Sequence, residues 1–153
     1  MILLTLPYPV SANVYWRSFV APGARRAMVV VSNEAKAYRR QVLELALAQG
    51  IINPLQGRIA LAIRLFPARP QDWARRARKL GAAWDDDVRC IDLDNANKVL
   101  LDALKGVAFE DDRWVRRLQA ERMEPDEHGA RVIVAIEQLA VEQPQQSLLE
   151  EAA

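Results

Sequence analysis

The sequence predicts an α+β fold, one mixed β-sheet with helices packed against it in a single domain. Two stretches, residues 33–49 and 94–105, carry apolar residues at helical spacing, and each ends at a glycine, Gly50 and Gly106. Ile59, Leu61, Ile63 and Leu65 alternate along a third stretch, the pattern of a half-buried strand. Strands and helices do not alternate steadily, which separates this chain from doubly wound sheets.

The elements follow in order. ILLTLPYP reads as a short first strand, stopped by Pro7 and Pro9, which lack backbone donors. VSANVYWRSF reads as a polar and aromatic loop or short strand, and RRAMVVVS as a second strand. Ser32 caps the first long helix, Glu34 sits in its first turn near the positive dipole end, and Tyr38, Val42 and Leu45 share one face. Pro67 and Pro70 end the strand that begins at Ile59. Residues 68–90 form an arginine-rich insertion containing Trp73 and Trp84, with a short helix over 71–80 in a mobile loop. In the second long helix Leu100, Ala103, Leu104 and then Val107 make the apolar stripe. RWVRRLQAERM and ARVIVAIEQ read as antiparallel strands joined by the turn EPDEHG. The domain is assigned to residues 1–142, and 143–153 read as a frayed polar tail.

Composition narrows the function classes. No apolar run approaches the roughly 20 residues of a membrane span, so no membrane partner is expected. MILLTLPYPVSAN lacks a basic start and meets prolines too early for a signal peptide, so a cytoplasmic location is expected. Cys90 stands alone, which excludes a disulfide framework or a cysteine zinc site. The net charge is only +1, yet residues 1–81 hold 13 Lys/Arg against three acids, and residues 82–153 hold 8 against 17. One reading is a basic surface for a polyanion beside an acidic surface that recruits cations; the other is that the halves interleave in space.

The stretch CIDLDNANKVLLDALKG, residues 90–106, concentrates the chemistry. Asp94 stands where a helix N-cap belongs, and Lys98 and Asp102 follow in four-residue steps, so a solvated salt-bridge ladder is one reading. Asp92 is not explained by capping, and an extended lead-in turns it to the same side as Asp94. Asn95 adds an oxygen ligand or a donor at a helix start that already favours phosphate. A second acid cluster, Glu110-Asp111-Asp112, reaches these groups only if the chain folds back over the sheet edge. Carboxylates from two elements suit Mg²⁺, which takes few carboxylates and keeps several waters. Beside a lysine, such a metal suits phosphodiester hydrolysis, with Lys98 offsetting charge on the phosphoryl group. The one histidine, His128, lies in an acidic turn, which argues against a histidine base and for a metal-activated water.

DLDNANKVLLDAL with EDD downstream resembles the RusA family of Holliday junction resolvases, whose pattern is D-x-D-N-x-x-K-x-x-x-D followed by an acidic pair. LPYPVSANVYWR is similar to the family's Pro-rich, aromatic opening, and VSNEAKAYRRQV to its first helix; the likeness runs in order through residues 3–137. The resemblance implies a Mg²⁺-dependent homodimer, with Mn²⁺ as an alternative cation, that nicks four-way DNA junctions symmetrically. It assigns Asp92, Asp94 and Asp112 as metal ligands, with Asp111 as the alternate to Asp112, and Lys98 as the catalytic lysine. Asn95 and Asp102 match supporting positions, and Asp102 is expected to orient Lys98. The chain departs from the family in Cys90 and Ile91, which replace basic residues before the first Asp, and in a longer stretch at 68–90.

Expected DNA contacts are Asn13, Tyr15, Trp16 and Arg17 in the opening, and Arg75, Arg76, Arg78 and Lys79 in the insertion. Trp73 or Trp84 is available to stack on an unpaired base, with at least one of them expected in the core. Arg39, Arg40, Arg116 and Arg117 are further phosphate candidates or solvated faces. Asp85-Asp86-Asp87 reads as a solvated loop, with contact to the metal as the lesser alternative. The rival readings are a nuclease of flaps or forks, and a non-catalytic branched-DNA-binding protein whose acids are caps and salt bridges.

Overall fold

The computed structural model describes residues 1–141, and the tail assigned to 143–153 lies outside them. Ten elements follow in chain order: β1 (Ile2–Pro7), α1 (Ala12–Tyr15), β2 (Trp16–Phe19), β3 (Met28–Val31), α2 (Asn33–Ala48), β4 (Ile59–Phe66), α3 (Trp73–Leu80), α4 (Leu93–Leu104), β5 (Val115–Arg122) and β6 (Arg131–Gln138). The expected α+β class holds: a four-stranded mixed sheet in the order β1-β6-β4-β5, and a two-stranded ribbon of β2 and β3. The stretch expected as a loop or short strand before residue 20 contains both a single helical turn, α1, and the strand β2.

The strand order corrects one expectation. β5 and β6 were expected to meet through the turn at 124–129, but β4 lies between them. Leu61 of β4 faces Ile136 of β6 on its antiparallel side and Leu118 of β5 on its parallel side. The cause is the make-up of the strands. β4 alternates Ile and Leu with small alanines and can be buried along both edges, whereas β5 exposes Arg116, Arg117, Gln119 and Glu121 and suits a sheet edge. The connection from β5 to β6 crosses the end of β4, where Met123 N donates to Leu65 O at 2.8 Å and the Arg131 guanidinium lies 4.0 Å from the Phe66 ring centre.

A parallel pair needs a long crossover, and the segment containing α3 and α4 supplies it between β4 and β5. The lead-in to α4 lies by the end of β5, where Arg122 donates to Val88 O, and the end of α4 lies by the segment before β4, where Lys105 and Leu55 both bridge to Phe109. α2 and α4 pack on one sheet face. Tyr38, Val42 and Ala46 of α2 and Val99, Leu100 and Leu104 of α4 are buried with Leu4, Leu6, Ile63, Leu65, Val134 and Ile136 of the sheet. Ser32 caps α2 as expected, its Oγ accepting from Ala35 N at 3.1 Å.

All three tyrosines fasten this core. Tyr38 donates to Pro7 O at 2.9 Å, Tyr8 accepts from Ile91 N at 2.7 Å, and Tyr15 donates to Asp102. Burial pushes Tyr8 and Tyr15 up from 10.0 to about 12, and Tyr38 higher still. Above pH 10 the unfolded chain therefore loses phenolic protons that the folded chain keeps, so stability falls as pH climbs through this window. Tyrosinate absorbance is expected to stay flat past pH about 10 and then rise together with loss of helical circular dichroism. A tyrosine titrating normally in the folded chain would contradict this account.

Candidate active site and nucleic-acid interface

α4 forms because Ala96, Val99, Leu100, Ala103 and Leu104 bury one face, and it ends where Gly106 turns at φ 74. That burial leaves Asp94 and Lys98 exposed on the outer side. The helix begins one residue earlier than the spacing suggested. Asp92 therefore occupies the N-cap, in extended backbone at φ −63 and ψ 143, and Asp94 lies in the first turn. The Asp92 carboxylate makes no capping hydrogen bond. Two carboxylates thus stand uncommitted at the positive end of a helix. Tyr8 braces the lead-in: its hydroxyl holds the Ile91 N–H and donates to Cys90 Sγ at 3.5 Å. No local pattern in the sequence marked Tyr8 for this role.

Two concavities flank the start of α4. Asp92 and Asn95 line one of about 710 Å³, together with Arg76, Asp87 and Arg89. Lys98 lines the other, of about 970 Å³, with Asn13, Trp16, Arg17 and Phe19. Ser11 borders the first and Ala12 the second, so the short α1 divides them. Asn95 holds that divider: its Oδ1 accepts from Ala12 N at 2.5 Å, where Ser11 offers α1 no side-chain cap. The side chain expected to add an oxygen ligand or a donor at the helix start caps α1.

Asp102 does not orient Lys98. Its Oδ2 accepts from the Tyr15 hydroxyl and from the Arg39 guanidinium, whose Nε lies at 3.0 Å. Arg39 Nε also donates to the Tyr15 oxygen at 2.7 Å. This knot ties α1, α2 and α4 together. Tyr15 is therefore fully buried rather than on the DNA-facing surface, and Arg39 is committed to an ion pair rather than free for phosphate. Its neighbour Trp16, whose ring lies 4.5 Å from that of Tyr15, lines the groove beside Lys98 with Asn13 and Arg17.

Asp112 stands apart from Asp92 and Asp94. Lys105, just past the end of α4, has its Nζ 3.4 Å from Asp111 and 3.8 Å from Asp112. A 12-residue helix is roughly 18 Å long, so this acid pair lies at the opposite end of α4 from the DxD pair. The Arg113 N–H, followed by Asp112 and Lys105, holds the Asp111 carboxyl below its ordinary range. Among the described residues, no three Asp, Glu, His or Cys side chains gather where they could hold a metal ion.

The insertion at 68–90 is built onto the fold. Trp84 is buried, its Nε1 donating to Glu124 at 2.6 Å, and Arg122 of β5 donates to Asp85 O and Val88 O at 2.8 and 2.9 Å. Trp73 is partly exposed, with Arg69 4.4 Å from its ring centre. α3 buries no residue, so its basic face is presented to solvent. Arg75 and Arg76 each lie 2.9 Å from Asp72, and Arg78 and Lys79 are exposed in the last turn.

Acids and a lysine share one exposed helix face, bordered by arginines and a groove-lining tryptophan, an arrangement of the kind phosphodiester cleavage in nucleic acid uses. The comparison with known families makes this specific: the family described as Endodeoxyribonuclease RusA matches residues 7–137, and the chain belongs to it. It is an endodeoxyribonuclease of the Holliday junction resolvase kind, and its substrate class is branched DNA of recombination and repair. No curated protein matches the chain. No helix among the described residues is long and apolar enough to cross a membrane.

Proposed function

We propose that two copies of this chain resolve a four-way junction by paired, symmetric nicks in a Mg²⁺-dependent reaction, with Mn²⁺ able to substitute. The observation that carries this reading is the Asp92 carboxylate, which occupies an N-cap without capping and stands beside Asp94. Two free carboxylates suit Mg²⁺, which is bound through one or two carboxylates plus water and substrate oxygens. When bound, the cation supplies water activation and charge neutralisation at the scissile phosphate.

The chain's own residues supply the rest. Lys98, in the adjoining groove, offsets the negative charge that grows on the phosphoryl oxygens. Arg17 and the α3 cations hold flanking phosphates, so binding weakens steeply with salt. The distance between the two acid clusters favours a homodimer in which Asp112, or Asp111, of a second copy completes the site. A cytoplasmic enzyme of this kind needs no further partner than DNA.

The test is cleavage of a labelled four-way junction, with linear duplex, flap and fork controls, in Mg²⁺ and in chelator. Opposed paired nicks that vanish in chelator are expected. Preferred cutting of flaps or forks would reassign the substrate. Tight junction binding with no cut in any cation would establish the binding-protein reading instead.

A further inference from the structure

We propose that the cavity beside Asp92 receives one unpaired nucleobase of the junction, the base flanking the phosphate to be cut. This inference rests on the cleavage reading above and names a subsite for it. The cavity, at about 710 Å³, falls within the range of small-ligand pockets, about 300–1,000 Å³. Its composition fits a base better than a phosphate. Pro9, Pro70, Val88 and Ile91 offer apolar surface to a ring face, and a phosphate would leave that surface wet. Asp87 and Arg89 offer an acceptor and a donor for a base edge.

Position supports the same occupant. Asp92 and Asn95 form part of the lining, and Ser11 and Ala12 separate this cavity from the groove that contains Lys98. A strand laid across the start of α4 keeps its backbone near Asp92, Asp94 and Lys98 and turns the neighbouring base into the cavity. A stacked, paired base cannot make that turn. At a branch point the cost of unpairing, otherwise a few kcal/mol, is lowest.

The walls stand ready before DNA arrives. Arg122 clamps Asp85 O and Val88 O, Trp84 is buried and bonded to Glu124, and Tyr8 fixes Ile91. A pocket held this way loses little entropy on binding. Asp87 and Arg89 supply an acceptor and a donor that the free edge of any unpaired base can meet, so the cavity takes a base by its unpaired state rather than by its identity.

The experiment uses the full chain and junctions with 2-aminopurine next to the cut position. Wild type is compared with Ala130→Trp and Ala68→Trp, which fill the cavity from exposed rim positions. Wild type is expected to raise 2-aminopurine fluorescence on binding in chelator, as a base leaving the stack does. Both tryptophan variants are expected to bind the junction within about threefold of wild type and to lose that rise. Wild type that binds the junction without a fluorescence rise overturns the proposal, as do folded variants that keep the rise. Failure of wild type to cut any junction would overturn the cleavage reading instead, so the two failures are distinguishable.

Discussion

Mixing Asp94→Asn with Asp112→Asn is expected to restore junction cleavage that neither variant performs alone. Each single change removes a carboxylate from the proposed cation site, and each homodimer is expected to lose roughly a hundredfold or more of its activity. In a mixed dimer that shares acids between copies, one site collects both changes and the other is intact. Random reassortment then makes half of the dimers mixed, so about a quarter of wild-type sites are recovered. The products should be single nicks rather than opposed pairs. If all the acids of a site came from one copy, every site in the mixture would carry a change. Activity at the floor of the single variants would then rule out sharing. The structural reason for expecting recovery is the placement of Asp112 with Lys105, at the far end of α4 from Asp92 and Asp94.

Asp102→Ala is expected to destabilise the fold by about 2–3 kcal/mol, lowering Tm by roughly 5–10 °C. The change removes the acceptor of the fully buried Tyr15 hydroxyl and the partner of Arg39. Leaving a buried donor unpaired costs more than the net value of the bond itself. Junction binding should weaken as well, because α1 carries Asn13 and leads into Trp16 and Arg17. Lys98→Ala, on an exposed face, should leave Tm within about 1 °C of wild type while cleavage falls. Thermal unfolding of both variants checks the assignment. An Asp102→Ala protein as stable as wild type would return Asp102 to its sequence-based role beside Lys98.

Much of the fold was legible because the signals are local. The alternation of Ile59, Leu61, Ile63 and Leu65 is written in one strand, and the cap of α2 in Ser32 and Ala35. Pairing of strands is not local. EPDEHG does reverse the chain, but whether β5 or β4 lies beside β6 depends on which strand tolerates burial along both edges. The candidate site divides in the same way. Asp92, Asp94 and Lys98 were legible from a spacing of a few residues on one helix. The burial of Tyr15 was not, since its partner Asp102 lies 87 residues away. Asp112 was legible only as an acid near α4: it follows that helix closely in sequence, yet the helix length separates it from the DxD pair of the same chain.

The long insertion enters the chain between β4 and α4, inside the only parallel crossover of the four-stranded sheet. Both boundaries of that segment are pinned independently, β4 by its pairing on two sides and the lead-in to α4 by Tyr8. Exposed residues of α3 can therefore be exchanged there while Trp84, Asp85 and Val88 stay tied to Glu124 and Arg122 of the frame. The crossover thus separates an exchangeable basic helix from the frame that holds Asp92 and Asp94. For protein engineering it is the natural position for transplanted loops meant to redirect a junction nuclease toward other branched or sequence-marked DNA.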